Sequence, residues 1–458
     1  MKTHQMNVLK QPMVNERKGG IFIVILSAFV MMSSCQSASE KQEIPTESIG
    51  WVTEKMTDLM VHDITNPPLA ARFYAYACLS AYETISVENK DYPSFVGFLN
   101  ELSPISTPGF ESPAAEISAV FAMLQTAAAM QPSGIELETL KQSFSDSCKS
   151  WGYSEKEIST AEKYAAEISS QILTYAQNDK YREISNYPRY QPSGSEGNWY
   201  PTPPGYFAPV EPYFNTVRPF TLKAEDQFKP LPPVAFSTDP KSEFFALMQE
   251  VYKVEMNKEQ REIAAFWDCN PFALEESGHL MVGIKQISPG GHWMGITAIA
   301  CEQSGLDFNK TLKINTLVAI GLMDGFISCW DEKYRSDRIR PETAIRKYID
   351  PAYQPMLQTP PFPEYLSGHS TISTTAAVIL THFFGDNYAY TDTIEEKYGL
   401  GRRNFSSFMQ ASEEASISRL YGGIHYMDAI TRGQDQGREV GNWILEGYEK
   451  YLKKSNKL

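Results

Sequence analysis

Twelve prolines fall between Pro188 and Pro240, and they restrict the fold more than any other feature of the chain. Proline fixes φ and has no N–H, so at that density neither a long helix nor a central strand can form. The same stretch carries Tyr187, Tyr190, Trp199, Tyr200, Tyr206, Phe207, Tyr213 and Phe214. A flexible linker is poorer in aromatics, so this reads as a long ordered loop packed against something larger. On both sides the pattern is helical. Apolar positions recur at helical spacing over 50–90, 113–131, 135–148 and 154–178, and again over 241–267, 295–305, 309–333, 369–385, 393–421 and 424–453. Ser154 and Glu157 have the spacing of a capping box. Strand-like alternation is scarce. The expectation is an all-α fold, one domain over 50–458, with a helical bundle wrapped by irregular Pro-rich segments.

A chain of 458 residues can bury one large core or two moderate ones. Its formal charge of −14 argues against nucleic acid as a partner. Against that acidic background the cluster Lys333, Arg335, Arg338 and Arg340 stands out.

The N-terminus has its own logic. Arg17 and Lys18 precede an apolar run over 21–34, too short for a secure membrane span and right for an export signal of 1–34. Met32-Ser33-Ser34-Cys35 is similar to a bacterial lipobox, which makes Cys35 the expected lipid anchor, with a polar linker over 35–49. The protein is then expected on the bacterial cell envelope, exported and attached to a membrane through lipid. Five further cysteines remain, with no Cys-x-x-Cys pair, so neither a zinc site nor a full disulfide framework is indicated.

Three short stretches near the C-terminus together supply the means to grip a tetrahedral oxyanion: Lys333 to Pro341, Ser367-Gly368-His369, and Arg419 to His425. Lys333 and Arg340 are seven apart, so on one helix they would share a face, with Pro341 marking its end. The bland reading is a solvated helix end, paired with Asp331, Glu332, Asp337 and Glu342. Ser367-Gly368-His369 precedes a helix-forming run, placing free N–H groups and the positive end of a helix dipole there; a plain N-cap is the alternative. Ser277-Gly278-His279 repeats the tripeptide without basic partners. Gly422-Gly423, between Arg419 and His425, should break one helix and start another.

Taken in order, Lys-x6-Arg-Pro, Ser-Gly-His and Ser-Arg-x5-His, with Ser418 before Arg419, resemble the signature of the type 2 phosphatidic acid phosphatase and vanadium-dependent haloperoxidase superfamily. The resemblance covers roughly 240–450 and implies an α-helical bundle with a central anion site. Two positions depart from the pattern. Leu366 stands where the family has Pro. Asp428 lies three residues after His425, whereas the family has Asp four after, where this chain has Ala429; Asp428 is nonetheless the candidate to orient His425.

For a haloperoxidase the resemblance implies one vanadate, held by Lys333, Arg340, Ser367, Gly368 and Arg419. His425 would be the protein ligand to the metal, His369 the acid–base group, and Lys333 the residue that polarises peroxide. The substrates would be hydrogen peroxide and a halide, the product hypohalous acid. Trp330 and Phe362 are similar to residues of chloride-oxidising and some bacterial haloperoxidases and would keep the pocket dry. The segments 265–268 and 289–293 also look like bacterial haloperoxidase features, with His292 either supporting the site or purely structural. Iodide is the easiest halide to oxidise and is favoured, with bromide next. The alternative is a secreted phosphomonoesterase, in which His425 attacks phosphorus and His369 protonates the leaving group. A non-catalytic anion-binding lipoprotein would need neither histidine.

Overall fold

Asn66-Pro67-Pro68 cuts the first apolar stretch in two. The Asn66 side chain accepts from the Leu69 N–H at 2.9 Å, and the prolines occupy the first helical turn, where no N–H is needed. The computed structural model describes residues 41–87, 89–203, 205–277, 280–283 and 286–455, with no side-chain description over 274–285. The expected export signal, Cys35 and the Gly278-His279 part of the second Ser-Gly-His lie outside the described residues.

The helices are α1 (Glu47–His62), α2 (Pro67–Ser86), α3 (Ala115–Met130), α4 (Ile135–Ser150), α5 (Glu155–Gln177), α6 (Glu243–Tyr252), α7 (Lys258–Phe266), α8 (Pro289–Gln303), α9 (Phe308–Ser336), α10 (Pro341–Tyr348), α11 (Gly368–Phe384), α12 (Phe408–Tyr421) and α13 (Met427–Ser455). The fold is all-α as expected. Ser154 and Glu157 form the capping box that opens α5. The sequence pattern missed two small antiparallel pairs. One joins β1 (Leu274–Ser277) to β2 (Leu280–Gly283), and the other joins β3 (Tyr390–Asp392) to β4 (Arg403–Phe405). Strands of three or four residues are too short to show a period. The helix expected over 393–421 is accordingly only its second half, α12.

Within the expected linker of 35–49, Gln42 donates its N–H to the Trp151 carbonyl at 3.0 Å.

Helix α9 is the axis. It is long and apolar enough to cross a membrane, yet it is buried almost throughout among α2, α8, α11 and α13. The Pro-rich segment is ordered and closes over it. Buried Asp324 on α9 accepts from the N–H groups of Phe220 and Thr221 at 2.6 and 2.8 Å and from the Thr221 hydroxyl at 2.6 Å. Val210 binds the far end: its carbonyl accepts from Trp330 Nε1 and the Tyr334 hydroxyl, and its N–H donates to Pro361.

Helices α11 and α13 approach closely because Gly433, Gly437 and Gly441 form a bare stripe on α13. A Cβ on Gly433 would sit 2.8 Å from the Ser367 carbonyl oxygen, and one on Gly437 would sit 2.4 Å from that of Thr371. Side chains at these positions would push α13 off the start of α11, where the site lies.

Candidate active site

Four helix ends converge. Lys333 is on the last turn of α9, Arg340 caps α10, Ser367 caps α11, and Arg419 is on the last turn of α12. His425 lies in the turn between α12 and α13. Lys333 and Arg340 do not share a helix. Asp337 takes the left-handed conformation (φ 49°) and ends α9, and Pro341 starts α10 instead of ending a helix. The chain reverses between them and brings both cations to one place.

The basic cluster separates into two kinds of residue. Arg335 pairs with Asp331 and Glu332. Arg338 donates through Nε to Glu364 at 2.6 Å and through both Nη atoms to Asp428 at 2.6 and 2.8 Å. Lys333, Arg340 and Arg419 are buried, and among the described residues none forms an ion pair with a carboxylate. The solvated-helix-end reading therefore fails for the residues that matter.

Backbone carbonyls hold these three cations instead. Lys333 Nζ donates to the carbonyls of Pro363 and Glu364, each at 3.1 Å, and to that of Leu366. Arg340 donates through Nε to Phe362 at 2.8 Å and through Nη1 to Ile424 at 2.9 Å. Its Nη2 is buried without a partner. Arg419 donates to the Trp267 carbonyl and to the Ser418 hydroxyl. Burial lowers Lys333 to about 7, with the positive charge of Arg340 adding to the effect. Burial likewise pushes Arg340 down to about 10, which leaves it charged.

Two histidines face this charge. His425 Nδ1 donates to Glu364 Oε1 at 2.8 Å, and its Nε2 accepts from Arg340 Nη1 at 3.1 Å. The proton is thereby fixed on Nδ1 and the Nε2 lone pair points at the cationic centre. Burial, Arg340 and Lys333 hold His425 well below the ordinary histidine value. His369 is lowered in the same way, by burial and by Arg419, and its Nε2 is buried without a partner. Ser367 Oγ accepts from Ser370 N–H at 3.3 Å and from its hydroxyl at 2.8 Å, so the Ser367 proton remains free to donate. The Gly368 N–H lies in the first turn of α11, where helices leave such groups unpaired.

Gly368, His369, Arg419 and His425 line a cavity of about 30 Å³ together with Trp330 and Phe362. The two rings lie 5.0 Å apart, and Lys333 Nζ and Arg340 Cζ lie 5.0 and 4.9 Å from the centre of the Phe362 ring. A much larger cavity, about 870 Å³ between α1, α8 and 393–397, contains none of these groups. An orphaned donor on Arg340, a free hydroxyl, a helix N-terminus and three basic side chains that, among the described residues, make no ion pair with a carboxylate form a donor set that fits a tetrahedral oxyanion, and the unpartnered His369 Nε2 beside them is a proton acceptor. A neutral imidazole nitrogen beside them adds a metal-ligating atom.

A solved structure described as the first bacterial vanadium-dependent iodoperoxidase matches with a TM-score of 0.83 and 39% identity, over 89% of this chain and 98% of that one. The chain belongs to the vanadium-dependent haloperoxidases. A family profile described as the VCPO second helical-bundle domain matches residues 313–454 of it. Two bacterial vanadium-dependent chloroperoxidase structures, apo-type and holo-type, share its fold at 14% identity and a TM-score of 0.63. They cover 85% and 90% of this haloperoxidase, and this haloperoxidase covers 96% and 95% of them. No curated protein matches the sequence.

In this haloperoxidase the structure gathers every predicted site residue of the three motifs, with Trp330 and Phe362 beside them. Asp428 does not orient His425. It is engaged by Arg338, and Glu364, which the sequence reading missed, takes its place. Glu364 is fully buried and accepts from His425, Tyr426 N–H and Arg338. The only sequence signal was an acidic residue in the Pro-rich approach to Ser-Gly-His. His292 lies behind the site. It is hydrogen-bonded to Asp392 at 2.8 Å, close to Glu395, and stacked on Trp267 at 4.6 Å. Burial disfavours its charged form, but Asp392 outweighs this and raises it well above the ordinary value. It packs against Trp267, whose carbonyl is bonded to Arg419 and to His369.

Proposed function

We propose that the protein uses vanadate and hydrogen peroxide to oxidise halide to hypohalous acid, with iodide the preferred halide and bromide next. The balanced reaction is I⁻ + H₂O₂ + H⁺ → HOI + H₂O, in which iodide loses two electrons, the O–O bond breaks and an I–O bond forms. The observation that carries the proposal is the pairing of a tautomer-fixed His425 Nε2 with three buried basic side chains that, among the described residues, make no ion pair with a carboxylate. Lys333, Arg340 and Arg419, the Ser367 hydroxyl and the Gly368 N–H would hold vanadate, with His425 Nε2 as the metal ligand. When bound, vanadate activates peroxide toward attack by halide without change in its own oxidation state.

The protein residues then have distinct tasks. Glu364 keeps the His425 proton on Nδ1. His369 Nε2 is the atom that takes up and returns a proton. Lys333 stabilises negative charge on oxygen in a site where the low dielectric makes that charge count. Trp330 and Phe362 exclude water. The iodide preference rests on the 39% identical iodoperoxidase and on the ease of iodide oxidation. We extend the proposal to attachment at the bacterial cell envelope through a lipidated Cys35, which the apolar run and the Ser-Ser-Cys sequence support; radiolabelled palmitate should enter the protein and be lost in Cys35→Ala.

The test uses the chain from residue 36 onward, stripped of metal and incubated with orthovanadate. Triiodide formation from iodide and peroxide is followed beside hydrolysis of a chromogenic phosphomonoester. Vanadate-dependent iodide oxidation that disappears in His425→Ala is the expected result. Phosphomonoester hydrolysis inhibited by vanadate, with no iodide oxidation, would replace this reading by the phosphatase one.

A further inference from the structure

The donors that fit the oxyanion come from α9, α10, α11 and α12. One more buried donor lines the same cavity and comes from elsewhere. Asn270, in the loop after α7, is 5% exposed, and among the described residues its Nδ2 has no hydrogen-bond partner. Its orientation is fixed, because Oδ1 accepts from the Phe272 N–H at 3.1 Å and the Asn270 carbonyl accepts from Ala273 N–H at 3.1 Å. An amide donor buried without an acceptor is costly to the fold, so it points to a ligand.

The surroundings restrict what that ligand can be. Pro271, Phe272, Trp330 and Phe362 line the same cavity, and among the described residues no carboxylate does. Aromatic rings present positive edges to an anion. A single neutral donor in an apolar wall holds a large, weakly hydrated anion better than a small, strongly hydrated one, which must surrender more hydration to enter. Because Asn270 adds no charge, it does not compete with the arginines for the oxyanion.

We propose that the Asn270 side-chain amide is the halide-binding donor of this site and holds iodide against the Trp330–Phe362 wall. This rests on the haloperoxidase reading and gives it a substrate subsite. The amide holds one lone anion with one hydrogen bond, and the aromatic wall excludes the water that would otherwise keep iodide solvated. The preference for iodide over chloride then arises at binding, before any oxidation.

The test separates a donor from a turn-former. Asn270→Asp keeps the oxygen that binds the Phe272 N–H and loses the amide donor; Asn270→Ala loses both. If the residue only shapes the turn, Asp is mild and Ala is harmful. If it binds halide, both raise the iodide KM. A lost hydrogen bond to a charged partner predicts ~10-fold or more for Ala and a larger effect for Asp, while the peroxide KM and, in Ala, the vanadate Kd stay at wild-type values. Crystals of the vanadate-loaded wild type soaked in sodium iodide should show anomalous density beside Asn270 Nδ2, absent in Asn270→Ala. An unchanged iodide KM in both variants, or a vanadate Kd that moves in place of it, overturns the proposal. If the wild type oxidises no iodide, the activity reading fails first, and iodide density away from Asn270 overturns the subsite as well.

Discussion

Replacing Glu364 by Gln changes one oxygen to an NH₂ group in a fully buried position, and the structure says which way the amide will turn. If the remaining oxygen faces His425 and Tyr426, the NH₂ group meets Arg338 Nε, a donor against a donor at a site where 2.6 Å separates the atoms. If the oxygen faces Arg338, the NH₂ group meets His425 Nδ1 and leaves the Tyr426 N–H without its acceptor. Hydrogen bonds to a charged group are roughly twice as strong as neutral ones, so the second orientation wins. His425 must then accept at Nδ1 and carry its proton on Nε2, which removes the lone pair needed for a metal. Restoring the useful tautomer means giving up the charged contact, worth ~1.5–3 kcal/mol, or about 10–100-fold in vanadate affinity. Sulfate has the same shape and needs no nitrogen ligand. Removing a negative charge beside three cations leaves its binding unchanged or tighter. Calorimetric titration of the metal-free Glu364→Gln protein with orthovanadate and with sulfate reads both. A vanadate Kd within twofold of wild type would refute the assignment of Glu364 as the group that sets the His425 proton.

Three further outcomes are expected. His369→Ala should bind vanadate with little loss while kcat falls ~10²–10⁴-fold, the usual weight of a general acid–base group, as checked by titration beside steady-state rates. Lys333 sits at about 7 in the anion-free protein, below the ~10.4 of a free lysine. The unfolded chain then binds more protons between those two values, so stability rises with pH through that window. Denaturant unfolding at pH 7 and 9 should show this rise in the wild type, less of it with sulfate bound, and no Lys333 contribution in Lys333→Met. Gly437→Ala places a Cβ 2.4 Å from the Thr371 oxygen and should lower stability by ~1–3 kcal/mol through overpacking, with vanadate affinity falling as Ser367 shifts. A thermal melt matching wild type would contradict the close-packing argument.

The anion grip was legible because its residues are rare in combination. Charge on Lys333, Arg340 and Arg419, a Ser-Gly cap and two histidines mark themselves in one dimension. What brings them together did not. Periodicity put Lys333 and Arg340 on one helix, whereas the left-handed turn at Asp337 separates them, and nothing about an Asp before Arg demands φ > 0. Glu364 was invisible for a different reason: its partners lie 61 residues away at His425 and 26 away at Arg338, and a lone acid among prolines carries no signature. Asp428, close to His425 in sequence, was the natural candidate and is taken by Arg338. The Pro-rich segment was legible because proline excludes long regular structure while aromatics favour burial: Trp199 and Phe214 are buried, whereas Tyr200, Tyr206 and Phe207 are exposed, which the pattern did not foretell.

The three carbonyls around Lys333 carry an implication for how the working protein is assembled. A chain whose cationic knot relied on its anion for neutrality could mature only where that anion was already present. Here Pro363, Glu364 and Leu366 satisfy the ammonium group from within, and Phe362 and Ile424 engage Nε and Nη1 of Arg340, leaving only its Nη2 for the anion. Closure of the scaffold therefore does not require the anion as a counter-charge, and a chain folded without vanadate can collect it afterwards. The active fraction of such a population follows the trace-metal content of its surroundings, and an empty molecule is a competent one waiting to be charged.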